Sequence, residues 1–153
     1  MYKMNNKIRK EEIYNKCLEL HMEKIKHLET AMEESEKSAL SYGKQSDAFD
    51  SHRMQLIGNR DMYAQQLKTE MEALETLHKI DLSHNHKTIE FGSVVITDKQ
   101  KVFVSIGAGK INIENDTYYA ISLQVPFFEA MKGLKKDDEF EFRGNKFKIQ
   151  EVF

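Results

Sequence analysis

The sequence predicts an α+β chain in which a long antiparallel α-helical coiled-coil hairpin precedes a small, mostly antiparallel sheet domain with one short helix. Three observations carry this. Apolar or small residues recur through the first half with spacings alternating four and three, Gly43 stands midway between two such arms, and beyond residue 88 the period falls to two, with β-branched and aromatic residues prominent.

The first arm repeats at Tyr14, Leu18, His21, Ile25, Leu28, Met32, Ser35 and Ala39, and the return arm at Ile57, Ala64, Leu67, Met71 and Leu74. Facing positions of an antiparallel pair have nearly constant sums. Tyr14 with Leu74, Leu18 with Met71, Ile25 with Ala64 and Met32 with Ile57 all give 88 or 89, which centres the turn on Gly43 and Lys44. Gly43 is the residue best able to take the left-handed conformation that reverses a helix, and no proline interrupts either arm. Helix one is expected from near Asn6, a good N-cap type, to about Leu40. Helix two should run from about Ser46 to about Lys79, with Asp47 in its first turn, where a carboxylate suits the helix dipole. Arms of roughly 33 residues at about 1.5 Å per residue would reach about 50 Å. The expected organisation is a hairpin over residues 1–80 with its tip near 38–50, a linker over 81–88, and a compact domain over 89–153.

In that domain Ile89 to Thr97 and Lys101 to Ile106 read as a β-hairpin around Asp98, Lys99 and Gln100. Gly107 to Lys110 reads as a loop, followed by short strands at Ile111 to Ile113 and Tyr118 to Ser122 around an Asn115-Asp116 turn. Pro126 before Phe127 to Lys132, closed by Gly133, follows the proline-first, glycine-last asymmetry of a short helix. Glu139 to Arg143 and Lys146 to Phe153 complete the sheet, joined at Gly144-Asn145.

The 153 residues are 40% hydrophobic with a formal net charge of -2, and the charge is even: residues 1–80 hold 13 basic and 14 acidic side chains, the remainder 10 and 11. A nonspecific duplex-DNA binder would show a basic excess, so direct electrostatic capture of nucleic acid is disfavoured. The lone Cys17 excludes an internal disulfide. Without a signal peptide or an apolar run near the roughly 18 residues of a membrane span, a cytoplasmic monomer with no membrane partner is expected.

Asp47 and Asp50 lie three apart, so on a helix their carboxylates project from one face near the tip. Two oxygen ligands at that spacing can share a hard divalent cation, and such a cation can activate water beside a phosphodiester. The plainer account is a helix N-terminal acid and a solvated surface charge. His84 and His86 form a His-x-His with Asp81 nearby, a spacing that metal sites use, though a polar linker explains the same residues. His21 reads as a packed seam histidine. Gly107 to Lys110 lacks the second glycine spacing and the hydroxyl residue of a phosphate loop, and reads as a strand connection. Phe127 and Phe128 are adjacent on one short helix; one could form a docking patch, or both could be buried.

Four short segments of the second domain stand out, Phe91 to Ile96 (FGSVVI), Ala120 to Pro126 (AISLQVP), Ala130 to Gly133 (AMKG) and Lys136 to Glu139 (KDDE). On these residues, and with the parts in this order, the chain resembles the Gre transcript-cleavage factors of bacterial RNA polymerase. Val125 stands where the family has serine before proline, and Asp137 where it has the glycine of a Gly-Asp pair. The resemblance implies an FKBP-like C-terminal domain that docks on the polymerase and a coiled coil inserted into its secondary channel. By carry-over, Ser122, Pro126, Phe127 and Phe128 are the expected docking residues, and Tyr42, Gly43, Lys44, Gln45, Asp47 and Asp50 the tip. It also implies that tip carboxylates help the polymerase active site hold a second Mg²⁺ and cut backtracked RNA. The protein would then be no enzyme itself, with no intrinsic cofactor and only indirect contact with nascent RNA. The tip follows the family's Gly-Asp-x-x-Glu-Asn pattern in one of two ways: aligned on Phe49 as the aromatic, the acids fall on Tyr42 and Gln45; aligned on their spacing, they fall on Asp47 and Asp50, with Ser51 for asparagine. The first alignment removes the cleavage chemistry and the second retains it, so a stimulator of cleavage and a competitor without cleavage both stand. An FKBP-like isomerase or chaperone module on a helical stalk is the alternative from another class, and a self-associating adaptor is a further one.

Overall fold

The structure, a computed structural model, describes residues 5–41 and 47–153, with side chains described outside 39–41 and 47–50. It is α+β: two long helices, then a six-stranded mixed sheet carrying one short helix. Helix α1 spans Asn6–Ser41 and α2 spans Asp47–His78. Asn5, one residue before the expected cap, closes the start of α1. Its side-chain oxygen accepts the Lys7 N–H at 3.0 Å and its carbonyl accepts the Arg9 N–H at 3.0 Å, satisfying donors that no helix bond can reach.

The chain divides into two compact units, one running to Leu20 and resuming over Thr76–Phe153, the other His21–Glu75. Both long helices cross the division. Within the second unit, Ile25 on α1 is 4% exposed and His21 3%. The stripe of α2 withdrawn from solvent runs through Leu56, Arg60, Tyr63, Leu67, Glu70 and Leu74, alternating four and three. Ile57 and Met71, expected in the seam, are 36% and 46% exposed, whereas Ala64, Leu67 and Leu74, also expected there, are withdrawn from solvent, so the phase differs only in part. Arg60 and Glu70 disguise that phase, because a hydrophobic count passes over charged residues at seam positions. Glu70 belongs there for a polar reason: its carbonyl accepts from His21 Nε2 at 2.7 Å, its carboxylate lies 3.5 Å from His21 Nδ1, and Lys24 Nζ reaches the other carboxylate oxygen at 2.9 Å. His21 therefore faces Glu70, a pairing displaced by two or three positions from the expected sums.

In the first unit the strands are β1 (Val94–Thr97), β2 (Lys101–Val104), β3 (Gly109–Ile113), β4 (Asp116–Ile121), β5 (Glu139–Phe142) and β6 (Asn145–Val152), in the spatial order β3-β4-β2-β1-β6-β5. Only β2 and β4 pair in parallel. Strand β1 begins at Val94 rather than Ile89, because Glu90 to Ser93 closes a turn in which Gly92 takes φ 90°. Gly109 and Lys110, expected in a loop, open β3; a strand and not a helix follows, which removes the phosphate-loop geometry. The last hairpin turns on Arg143 and Gly144, both with positive φ, the backbone of a two-residue type I′ turn.

Every residue of β1 is buried, so both faces of the sheet are covered there. On one face Val95, Val102 and Val104 pack with Ile149, Phe140 and Phe147, and with Phe128 and Met131 of helix α3 (Pro126–Met131). The other face carries Val94 and Phe103, paired across β1 and β2 and wholly buried. The unit covers that face with the first turns of α1 and the end of α2, whose Ile13, Cys17 and Leu77 are buried. Arg9 ties the arrangement down, donating to Glu151 at 3.0 Å and Tyr118 at 3.4 Å with its guanidinium 4.9 Å from the Phe153 ring centroid.

The phase of the α2 stripe is testable. Leu67→Ala should destabilise the protein by about 1 to 3 kcal/mol, and Met71→Ala by less than about 0.5 kcal/mol. Denaturant unfolding of both variants measures this, and equal losses would place the stripe elsewhere.

Candidate functional site

The described side chains converge most closely where α2 leads into the sheet. Beyond α2 the chain is held by Asp81, whose carboxylate accepts the Ser83 N–H at 2.9 Å and the Ser83 hydroxyl, and whose carbonyl accepts the His84 N–H at 3.2 Å. Such an Asx turn fixes the backbone locally. Lys10 of α1, 2% exposed, reaches the same loop and donates to the His84 carbonyl at 3.0 Å. Further on, the Ser93 hydroxyl donates to the Glu90 carbonyl at 2.6 Å and accepts the Glu90 N–H at 3.2 Å, holding the turn that carries Glu90.

Between these two fixed turns stands His86, 7% exposed, packed against Gly92. A Cβ at Gly92 would meet His86 Nε2 at an ordinary contact distance of 3.4 Å, so glycine serves there for its positive φ. His86 Nδ1 lies 2.6 Å from Glu90 Oε1, and His84 Nε2 lies 3.7 Å from the same oxygen. The two imidazoles meet edge to face, with centroids 4.4 Å apart. One donor atom from each of the three residues lies within 4.8 Å of the others, the one such group among the described residues.

The protonation states follow from these contacts. Burial pushes the His86 imidazole below its ordinary pKa, against the opposing hydrogen bond to Glu90. That same hydrogen bond lowers the Glu90 carboxyl, so at neutral pH the pair is a neutral imidazole donating to a carboxylate. Burial lowers the Lys10 ammonium to about 8, with the charges of Asp81 and Glu90 opposing the shift.

Of the expected site residues, Tyr42, Gly43, Lys44 and Gln45 lie outside the described residues. Asp47 and Asp50 fall in the first turn of α2, three residues apart. Phe128 is buried at 4% exposure, and Phe127 is half-buried among Phe140, Phe142 and Phe147, with ring centroids 5.2 to 5.5 Å away. Both phenylalanines thus join the core, leaving Pro126 and Leu123 as the exposed apolar residues beside a half-buried Ser122. Of these, Leu123 lines a surface cleft of about 520 Å³ together with Thr88, Phe91 and Lys132. Cys17 is buried, and its thiol is pushed up to about 11, which removes it as a nucleophile at neutral pH.

Neither a protein-family model nor a curated protein matches the chain. Solved structures do. A structure of the transcription factor Gfh1 is similar at 18% identity, covering 90% of this chain and 93% of its own, with a TM-score of 0.33. GreA factor homolog 1 (Gfh1) of Thermus thermophilus is similar at 16% identity, with coverages of 89% and 94% and a TM-score of 0.33. Gfh1 of Thermus aquaticus stands at 17% identity, coverages of 88% and 92%, and a TM-score of 0.32. A likeness this distant tells what the chain is similar to and no more.

Sequence inspection marks His84 and His86 by their spacing but pairs them with Asp81, whose carboxylate is engaged by Ser83. The third donor is Glu90, four residues beyond His86, whose backbone the Ser93 hydroxyl holds. Among the described residues, no helix is long and apolar enough to cross a membrane.

Lys10 supplies a pH test with a definite sign. Its folded pKa of about 8 lies below its ordinary 10.5, so between these values the unfolded chain binds more protons and stability rises with pH. Lys10→Met should abolish that component. Unfolding midpoints at about pH 8 and about pH 10 should rise in the parent relative to the variant; parallel behaviour would contradict the burial of this ammonium.

Proposed function

We propose that the chain is a Gre-like regulator of bacterial RNA polymerase, a binding protein rather than an enzyme, whose two long helices form a coiled-coil hairpin that enters the secondary channel. The observation that carries the reading is backbone conformation at the motif glycines. Gly92 in FGSVVI takes φ 90° and Gly133 in AMKG takes φ 77°, and Asp137, standing where the family has glycine, takes φ 74°. A left-handed aspartate is uncommon, and it keeps the conformation that glycine adopts at no steric cost. Asp137 thus supports the reading through its backbone although its letter departs from the motif, as does that of Val125.

Two further features support the reading. Helices of 36 and 32 residues lead in the order the family requires, and a sheet with one short helix follows. Pro126 and Leu123, beside Ser122, are the exposed edge by which an FKBP-like domain would dock on the channel rim. Asp47 and Asp50 are the carboxylates that would share Mg²⁺ with the polymerase active site. Their helical spacing keeps the cleavage chemistry open, and loss of it would leave a competitor that occupies the channel without cutting.

The test is addition of the protein to backtracked elongation complexes with Mg²⁺, alone and against an authentic cleavage factor. Inhibition of that factor, or RNA shortening that Asp47→Ala and Asp50→Ala each reduce by at least about tenfold, is expected. A protein that neither cuts nor competes at saturating concentration is not a secondary-channel factor.

A further inference from the structure

We propose that His84, His86 and Glu90 form a binding site for a borderline divalent transition-metal ion, Zn²⁺ in the first instance, which fastens the loop after α2 to the turn before β1. The donor set is two imidazoles and one carboxylate, a ligand class that zinc sites with an open fourth position use. Mg²⁺ and Ca²⁺ prefer all-oxygen shells, so the two nitrogens select against them.

The geometry is close to what binding needs. Metal bonds of about 2.0 to 2.2 Å at tetrahedral angles put neighbouring ligand atoms roughly 3.3 to 3.5 Å apart. His84 Nε2 and Glu90 Oε1 are already 3.7 Å apart. The shorter His86 to Glu90 contact, 2.6 Å, is a hydrogen bond through the Nδ1 proton. Binding replaces that proton with the metal: the neutral imidazole keeps one N–H by moving it to Nε2, and the contact opens as the two atoms become ligands of one ion. Glu90 and His84 are half or more exposed, so they can make this adjustment while buried His86 stays in place. A water would fill the fourth position on the solvent side.

Both turns that hold the donors are fixed independently of any metal, by Asp81 with Ser83 on one side and by Glu90 with Ser93 on the other. Lys10 is the nearby opposing charge, and its ammonium is engaged with the His84 carbonyl rather than with the donor atoms.

The experiment uses the full chain without a histidine tag, freed of metal by chelator and titrated with Zn²⁺ alone by calorimetry. One ion per chain is expected. His84→Ala and Glu90→Gln, both at exposed positions, should each weaken binding by at least about tenfold, since even partners behind the ligands are worth that much. His27→Ala, on α1 away from the cluster, should leave it unchanged. Co²⁺ substitution in the parent protein gives a readout independent of variant folding: intense visible bands of four-coordinate cobalt support the site. No stoichiometric binding, parent-like affinity in both variants, or only the weak bands of six-coordinate cobalt would each overturn it.

Discussion

Burial of β1 on both faces is the constraint on which the first unit depends. A four-residue strand with no exposed position needs cover from two sides, and the sheet's own α3 supplies only one. The second layer comes from the first turns of α1 and the end of α2, held by Arg9 on Glu151 and Tyr118 and by buried Ile13, Cys17 and Leu77. The compact unit therefore gathers residues from both ends of the helical region. Removing the helices would expose Val94 and Phe103 at the centre of the sheet.

The second unit depends on a polar contact instead. A buried histidine needs partners, and His21 finds them in the carbonyl and carboxylate of Glu70, with Lys24 balancing the charge. This accounts for what the sequence conceals. Helix extents, the short proline-led helix and most strands are legible from periodicity and turn residues, because burial and backbone conformation write directly into those patterns. The phase of the seam is not, because Leu56 and Ile57, or Tyr63 and Ala64, offer adjacent apolar choices that a charged seam residue cannot arbitrate. The start of β1 was equally hidden: Ile89 to Ser93 has strand composition, but Gly92 and the Ser93 hydroxyl close it into a turn.

The same turn explains why the histidine cluster is only half legible. A His-x-His pair is visible as a spacing, whereas the approach of Glu90 depends on the path of residues 87–89 and on the turn in which Ser93 holds Glu90, neither of which leaves a pattern in the sequence. Phe127 and Phe128 show the opposite case, where adjacency leaves open a surface patch or burial of both, and the fold draws both into an aromatic core. Asp137 takes φ 74°, a conformation that glycine adopts at no steric cost and that its letter does not announce.

The proposed function puts the end of the helical region inside the polymerase. Replacing Lys44 with a photoreactive amino acid and irradiating the complex with bacterial RNA polymerase core enzyme tests it most directly. Crosslinks confined to the walls of the secondary channel and the neighbourhood of the active site are predicted. Crosslinks elsewhere on the enzyme, or none in a sample where the two proteins co-sediment, would contradict it.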